Sequence, residues 1–93
     1  MSAVAEVILY TTEYCPYCVR ARYLLDDKGV AYRDIRIDAS RDLRAEMERR
    51  SGRTSVPQIF IGDRHIGGYD DMAALDMAGE LDPLLADIDD AAE

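Results

Sequence analysis

Val4 to Tyr10 (Val-Ala-Glu-Val-Ile-Leu-Tyr) is a nearly continuous, β-branched apolar run of strand length, the pattern of a strand buried on both faces. Polar Thr11-Thr12-Glu13-Tyr14 interrupts it. Pro16 then stands where a first helical residue is favoured, and Cys18, Ala21, Leu24 and Leu25 recur at helical spacing until Lys28-Gly29. From about Ala31 to Asp38, polar Tyr32, Asp34, Arg36 and Asp38 alternate with Arg33, Ile35 and Ile37, which predicts a second, more exposed strand. Ser40 or Asp38 can cap a helix running to about Ser51. Its apolar stripe is thin, chiefly Leu43 and Met47, so it lies on the surface, and Gly52 suits its C-terminal cap.

Gln58-Ile59-Phe60-Ile61 and Arg64-His65-Ile66 flank Gly62-Asp63, a spacing that favours a tight antiparallel hairpin ended by Gly67-Gly68. Asp70 or Asp71 can cap a short helix containing Met72, Leu75 and Met77. A last helix from Leu81 to about Ile88 follows, with Leu75, Leu81, Leu84, Leu85 and Ile88 reading as core. The order β-α-β-α-β-β-α-α is α/β, and a βαβ unit followed by a hairpin implies a mixed four-stranded sheet flanked by helices.

The chain has 93 residues, which allows one domain over 1–93 and no second hydrophobic core. Net charge is −8, and clustered positive charge of the kind that nucleic acids and anionic membranes require is missing. The charge is uneven: eleven basic residues meet ten acids through Arg64, whereas the segment beyond holds nine acids and no Lys or Arg. No apolar stretch is long enough for a membrane span and the first residues lack a secretory pattern, so the cytoplasm is the expected location. The acids from Glu80 to Glu93, which include the acidic end over 87–93, read as a solvated helix face and frayed end, with docking of a basic partner as the alternative.

Cys15-Pro16-Tyr17-Cys18 joins the first strand to the first helix. A Cys-x-x-Cys beside a βαβ pattern is a redox signal. Cys15 falls at the helix N-terminus, where unpaired backbone N–H groups and the helix dipole favour a thiolate, so Cys15 is the expected nucleophile. Cys18, one turn later on the same face, can resolve a mixed disulfide. The competing readings are weaker. A structural disulfide closing so small a loop adds only roughly 2 kcal/mol on the chain-entropy model. A zinc site needs four ligands, and His65 is the one other strong candidate, so no metal site is expected. Two buried, inert cysteines are the remaining alternative.

With these residues in view the chain resembles a glutaredoxin of the dithiol Cys-Pro-Tyr-Cys class. The likeness extends through Val7-Ile8-Leu9-Tyr10-Thr11, Arg50 to Ile61 around Val56-Pro57, His65-Ile66-Gly67-Gly68-Tyr69-Asp70-Asp71 and Leu81-Asp82-Pro83-Leu84-Leu85, about residues 4–86. The resemblance implies a thioredoxin-like fold, a cis peptide before Pro57, and glutathione as reducing co-substrate. It assigns the backbone of Val56, beside Ser55 and Pro57, to the cysteinyl part of glutathione. The backbone N–H groups of Tyr69 and Asp70 go to the γ-glutamyl carboxylate, and Asp70 or Asp71 to its ammonium. Tyr17 lies beside the ligand, and Arg44 meets the glycyl carboxylate. A family Lys near the motif maps to Thr12, which removes one positive charge and leaves Arg20 or Arg22 as the nearest remaining aids to the thiolate.

The activity so implied is glutathione-dependent thiol–disulfide exchange by a monomer acting on disulfide-bearing or glutathionylated proteins. Two alternatives stand beside it: a thioredoxin-reductase-dependent electron donor to ribonucleotide reductase, and a [2Fe–2S] carrier in which two chains share a cluster. The family pattern disfavours the second because Pro16 stiffens the motif. His65 reads as a solvent-facing side chain without a role. Arg41, Arg49, Arg50 and Arg53, interleaved with Glu46 and Glu48, read as an ordinary solvated face.

Overall fold

In the computed structural model the chain is described over residues 6–92, with side chains through Ala86. The expectations for Val4, for the Ile88 side chain and for the side chains of the acidic end lie outside the described residues. The elements are β1 (Val7–Thr11), α1 (Pro16–Asp27), β2 (Tyr32–Arg36), a 3-10 turn (Ile37–Ala39), α2 (Arg41–Ser51), β3 (Gln58–Ile61), β4 (Arg64–Gly67), α3 (Tyr69–Met77) and α4 (Leu81–Ala92). The strands form one mixed sheet in the order β2-β1-β3-β4, with β2 parallel to β1 and the other pairs antiparallel.

The continuous apolar run of β1 is explained by its central place: every residue of the strand is buried. Its pleat divides the core. Val7 and Leu9 face Ala21 and Leu25 of α1, Met72 of α3, and Leu81 and Leu85 of α4, with Ile59 and Ile61 of β3 alongside. Ile8 and Tyr10 point the other way, against Met47 of α2, Ile37 and Phe60. A two-sided sheet therefore needs apolar residues at both parities of its inner strands. The outer β2 carries only partly buried or exposed residues, in keeping with its polar alternation. Among the described residues no helix is long and apolar enough to cross a membrane.

Two element ends differ from expectation, at β2 and at α3, while those of α2 agree with it. Ile37 and Asp38 leave β2 for a 3-10 turn, which swings Ile37 into the core on the α2 side. Ser40, one of the two candidates, caps α2 through Asp42 N–H at 3.1 Å, and Gly52 closes the helix in the left-handed conformation at φ 70°. At α3 neither Asp70 nor Asp71 is the N-cap. Gly68 holds that place, and the Asp71 carboxylate reaches back to accept its N–H at 2.9 Å, the carboxylate half of a capping box.

Polar contacts tie the layers together. The Tyr10 hydroxyl donates to Glu46 at 2.6 Å and accepts from Arg50 at 2.7 Å, while the Arg50 guanidinium lies 4.4 Å from the Phe60 ring centroid. Arg50 is thus a cover for the core rather than part of a free basic face. Lys28, at the end of α1, meets Asp76 at 2.6 Å and Asp82 at 2.8 Å, so two acids of the negative C-terminal segment answer a cation of the first half. Those carboxylates raise the Lys28 pKa above its ordinary value.

Candidate functional site

The loop between β1 and α1 delivers the two thiols to opposite environments. Cys15 is the N-cap of α1 with extended backbone, φ −107° and ψ 110°, and Pro16 opens the helix. Its sulfur accepts the Cys18 N–H at 3.3 Å, and its thiol donates to the Val56 carbonyl at 3.7 Å. Cys15 is partly exposed, whereas Cys18 is fully buried, and both are free thiols. Burial above all, then the hydrogen bond with Cys15, pushes the Cys18 thiol up to about 12, while the Thr12 backbone N–H and Arg22 act in the opposite direction. One thiol is accessible at a helix start and the other stays protonated beneath it. This asymmetry suits an attacking and a resolving sulfur.

The Val56–Pro57 peptide is cis, in agreement with the resemblance. A cleft of about 220 Å³ opens between this loop and the start of α3, lined by Ser55, Val56 and Pro57 on one side and by Gly68, Tyr69, Asp70 and Asp71 on the other. Tyr17 and Arg53 complete the lining. Tyr17 is half exposed, 6.5 Å from the Tyr69 ring between centroids, and carries the Arg20 guanidinium 5.3 Å above it. The first residues of α3 thus line the cleft, and the free N–H groups of a helix start suit a carboxylate.

Of the expected ligand-binding residues, Tyr17, Ser55, Val56, Pro57, Tyr69, Asp70 and Asp71 come together in this cleft, while Thr12 and Arg44 do not line it. Arg44 instead pairs with Glu48 at 3.0 Å, one helical turn on, and donates to the Thr54 carbonyl at 3.0 Å. The cation at the cleft is Arg53, read from sequence as part of a solvated face. It meets Asp71 at 3.1 Å across the opening. A usable signal existed: Arg53 follows the Gly52 helix stop and so belongs to the Val-Pro loop, not to the helix face. Asp71 is held well below the usual carboxylate range by the Gly68 N–H and then by Arg53. With Asp71 so engaged, Asp70 is the second exposed acid lining the cleft.

His65 is not a free surface residue. It is partly buried, 4.8 Å from the Phe60 ring between centroids, and its Nε2 is 2.7 Å from Gln58 Oε1. Gln58 in turn donates to the Ser55 carbonyl at 3.0 Å, so the buried amide next to Pro57 fastens the loop from behind. A lone Gln opening an otherwise apolar strand signals such a bond, because an unpaired buried amide is costly. Burial, then the Arg53 charge, lowers the His65 pKa, with Asp71 opposing. A depressed folded pKa means that the unfolded chain binds the proton more readily. The stabilisation is present above the ordinary value near 6.5 and is lost as pH falls through the folded value. Thermal denaturation between pH 7.5 and about 5 should therefore show the wild type losing more stability than His65→Gln. Parallel curves would refute the linkage.

A thioredoxin-like sheet with an accessible thiol and a buried thiol at one helix start defines the class: a thiol–disulfide oxidoreductase. Comparison with known proteins narrows it. The glutaredoxin family model matches residues 7–66. The glutaredoxin of Pseudomonas aeruginosa is 54% identical over 80 residues, covering 86% of this chain and 95% of the relative. Glutaredoxin 3 of Escherichia coli is 57% identical over 82 residues, covering 88% and 99%. Among solved structures, a buckwheat glutaredoxin–glutathione complex superposes with TM-score 0.83 at 32% identity, covering 90% of this chain and 79% of that one. The solution structure of the Brucella melitensis glutaredoxin gives 0.78 at 51% identity, covering 90% and 91%. The chain belongs to the glutaredoxin family.

Proposed function

We propose that this protein is a glutathione-dependent oxidoreductase that reduces protein disulfides and protein–glutathione mixed disulfides. The observation that carries the reading is the charged cleft next to Cys15, with Arg53 and Asp70 at its margin and the α3 N-terminus at its end. It fits a small peptide bearing two carboxylates and one ammonium. The buckwheat relative is a glutathione complex, which supports the same reading.

In this mechanism the Cys15 thiolate attacks a substrate sulfur, forming a mixed disulfide and releasing the other sulfur as a thiolate. When Cys15 carries the protein substrate, Cys18 gives up its proton and attacks Cys15, which releases the substrate as a thiol and leaves an internal disulfide that two glutathiones reduce. When Cys15 carries glutathione, a second glutathione resolves it. The extended Val56 backbone pairs with the cysteinyl unit of glutathione, as an added strand does. Tyr69 and Asp70 N–H groups take the γ-glutamyl carboxylate and the Asp70 side chain takes the ammonium. Arg53 replaces Arg44 as the cation for the glycyl carboxylate.

The test is turnover of a glutathionylated peptide with glutathione and glutathione reductase, against thioredoxin reductase as the only electron source. Sustained turnover with glutathione is expected; turnover with thioredoxin reductase alone would overturn the reading. Loss of the charge-assisted contact in Asp70→Asn should raise the KM for glutathione by about tenfold with kcat little changed.

A further inference from the structure

One helical turn on from Cys18, Arg22 anchors a polar cluster that neither the cleft nor the attacking thiol uses. Thr11, fully buried at the end of β1, donates its hydroxyl to Asp34 Oδ1 at 2.5 Å and accepts from Arg22 Nη2 at 3.0 Å. Arg22 Nε closes the triangle on Asp34 Oδ2 at 2.7 Å. Arg22 and Asp34 are each only about a quarter exposed, 23% and 28% by side chain, so this is not an ordinary surface pair. A partly exposed ion pair of this kind adds little net stability.

Its placement gives it a use. Arg22 is four residues after Cys18 on α1, hence on the same helix face, and the Asp34–Thr11 clamp turns its guanidinium toward the end of β1. The next residue, Thr12, supplies the backbone N–H that acts on the Cys18 sulfur. Cys15 and Arg22 are charged groups that act on that sulfur, Cys15 against the thiolate and Arg22 in its favour. Arg20, the other cation near the motif, is stacked on Tyr17 instead.

We propose that Arg22, oriented by Asp34 and Thr11, is a positioning residue for the resolving thiol, stabilising negative charge on Cys18 as it attacks the mixed disulfide. In that step the Cys18 S–H bond breaks and a bond forms between the Cys18 and Cys15 sulfurs. The bond from Cys15 to the substrate sulfur breaks, and the departing thiolate takes up a proton equivalent to the one Cys18 released. The enzyme dithiol is oxidised by two electrons and the substrate disulfide is reduced by the same two. Once the Cys15 sulfur is in a disulfide, its own negative charge no longer opposes the Cys18 thiolate, which leaves Arg22 and the Thr12 N–H to work against burial alone.

The inference rests on Cys15 as attacker and Cys18 as resolver, and its test separates the two. Reduced protein mixed with an aromatic disulfide such as dithiobis(nitrobenzoate) releases one coloured thiolate on attack and a second on resolution, with no glutathione needed. Arg22→Gln should leave the first phase unchanged and slow the second by about five- to tenfold at neutral pH, moving its rise with pH upward by up to about one unit. Arg22→Lys, which keeps the charge, should recover most of the rate. The proposal is overturned if the second phase keeps its rate and pH profile, if both phases slow alike, or if Lys performs no better than Gln. Cys18→Ser should show the first phase alone. A second phase there would overturn the assignment of Cys18, a different failure from an unchanged second phase in Arg22→Gln.

Discussion

Cys15→Ser should abolish turnover of both protein disulfides and glutathionylated peptides, a loss of at least about a thousandfold, because a serine hydroxyl has no thiolate to offer. Cys18→Ser should keep deglutathionylation and lose the dithiol route, leaving a protein that accumulates as a mixed disulfide detectable by mass. The opposite behaviour of two cysteines three positions apart follows from their surroundings. Cys15 is accessible at the helix start, with the Cys18 N–H directed at its sulfur, whereas the Cys18 thiol is buried and protonated at neutral pH. Glutathione-coupled turnover on both substrates checks this, and activity retained by Cys15→Ser would sink the mechanism.

Gly67→Ala should damage the cleft without touching either thiol. Gly67 has φ 117°, a conformation that side chains rarely adopt, and a Cβ there would run into the Asp71 carboxylate, whose Cγ would lie 2.8 Å away. That carboxylate caps α3 through the Gly68 N–H and holds Arg53 across the opening. Strain together with the lost cap should cost about 2–4 kcal/mol. Displacing Arg53 and the first turn of α3 should also raise the KM for glutathione by at least about tenfold. Gly52→Ala is the control. Its φ is also positive, at 70°, but nothing lies within 4 Å of an added Cβ, so it should lose stability and keep its glutathione KM. Equal KM values for the two variants would show that the Asp71 cap has no part in binding.

Both predictions separate what could be read along the chain from what could not. The continuous apolar run of β1, the Pro16 start and Gly52 stop of helices and the Gly62-Asp63 turn are local patterns, and each reappears at its expected place. The ends were less legible where a tertiary contact competes with a local one. Asp38 leaves the strand because its carboxylate accepts the Glu13 N–H at 3.0 Å and an Arg36 bond at 3.1 Å. Asp71 forgoes the capping position because, from the third helical place, its carboxylate reaches both Gly68 and Arg53.

By itself the sequence determined the α/β order, the two-faced central strand and the Cys15-Pro16-Tyr17-Cys18 junction, because hydrophobic period, turn chemistry and helix capping act over a few residues. Only the tertiary structure decided which charges face which. Arg53 rather than Arg44 reaches the cleft, His65 is tied to Gln58, Lys28 answers two distant acids, and Arg22 is held by Asp34 and Thr11. Long polar side chains choose partners by distance and burial across elements far apart in the chain, and neither quantity is written in the spacing of residues.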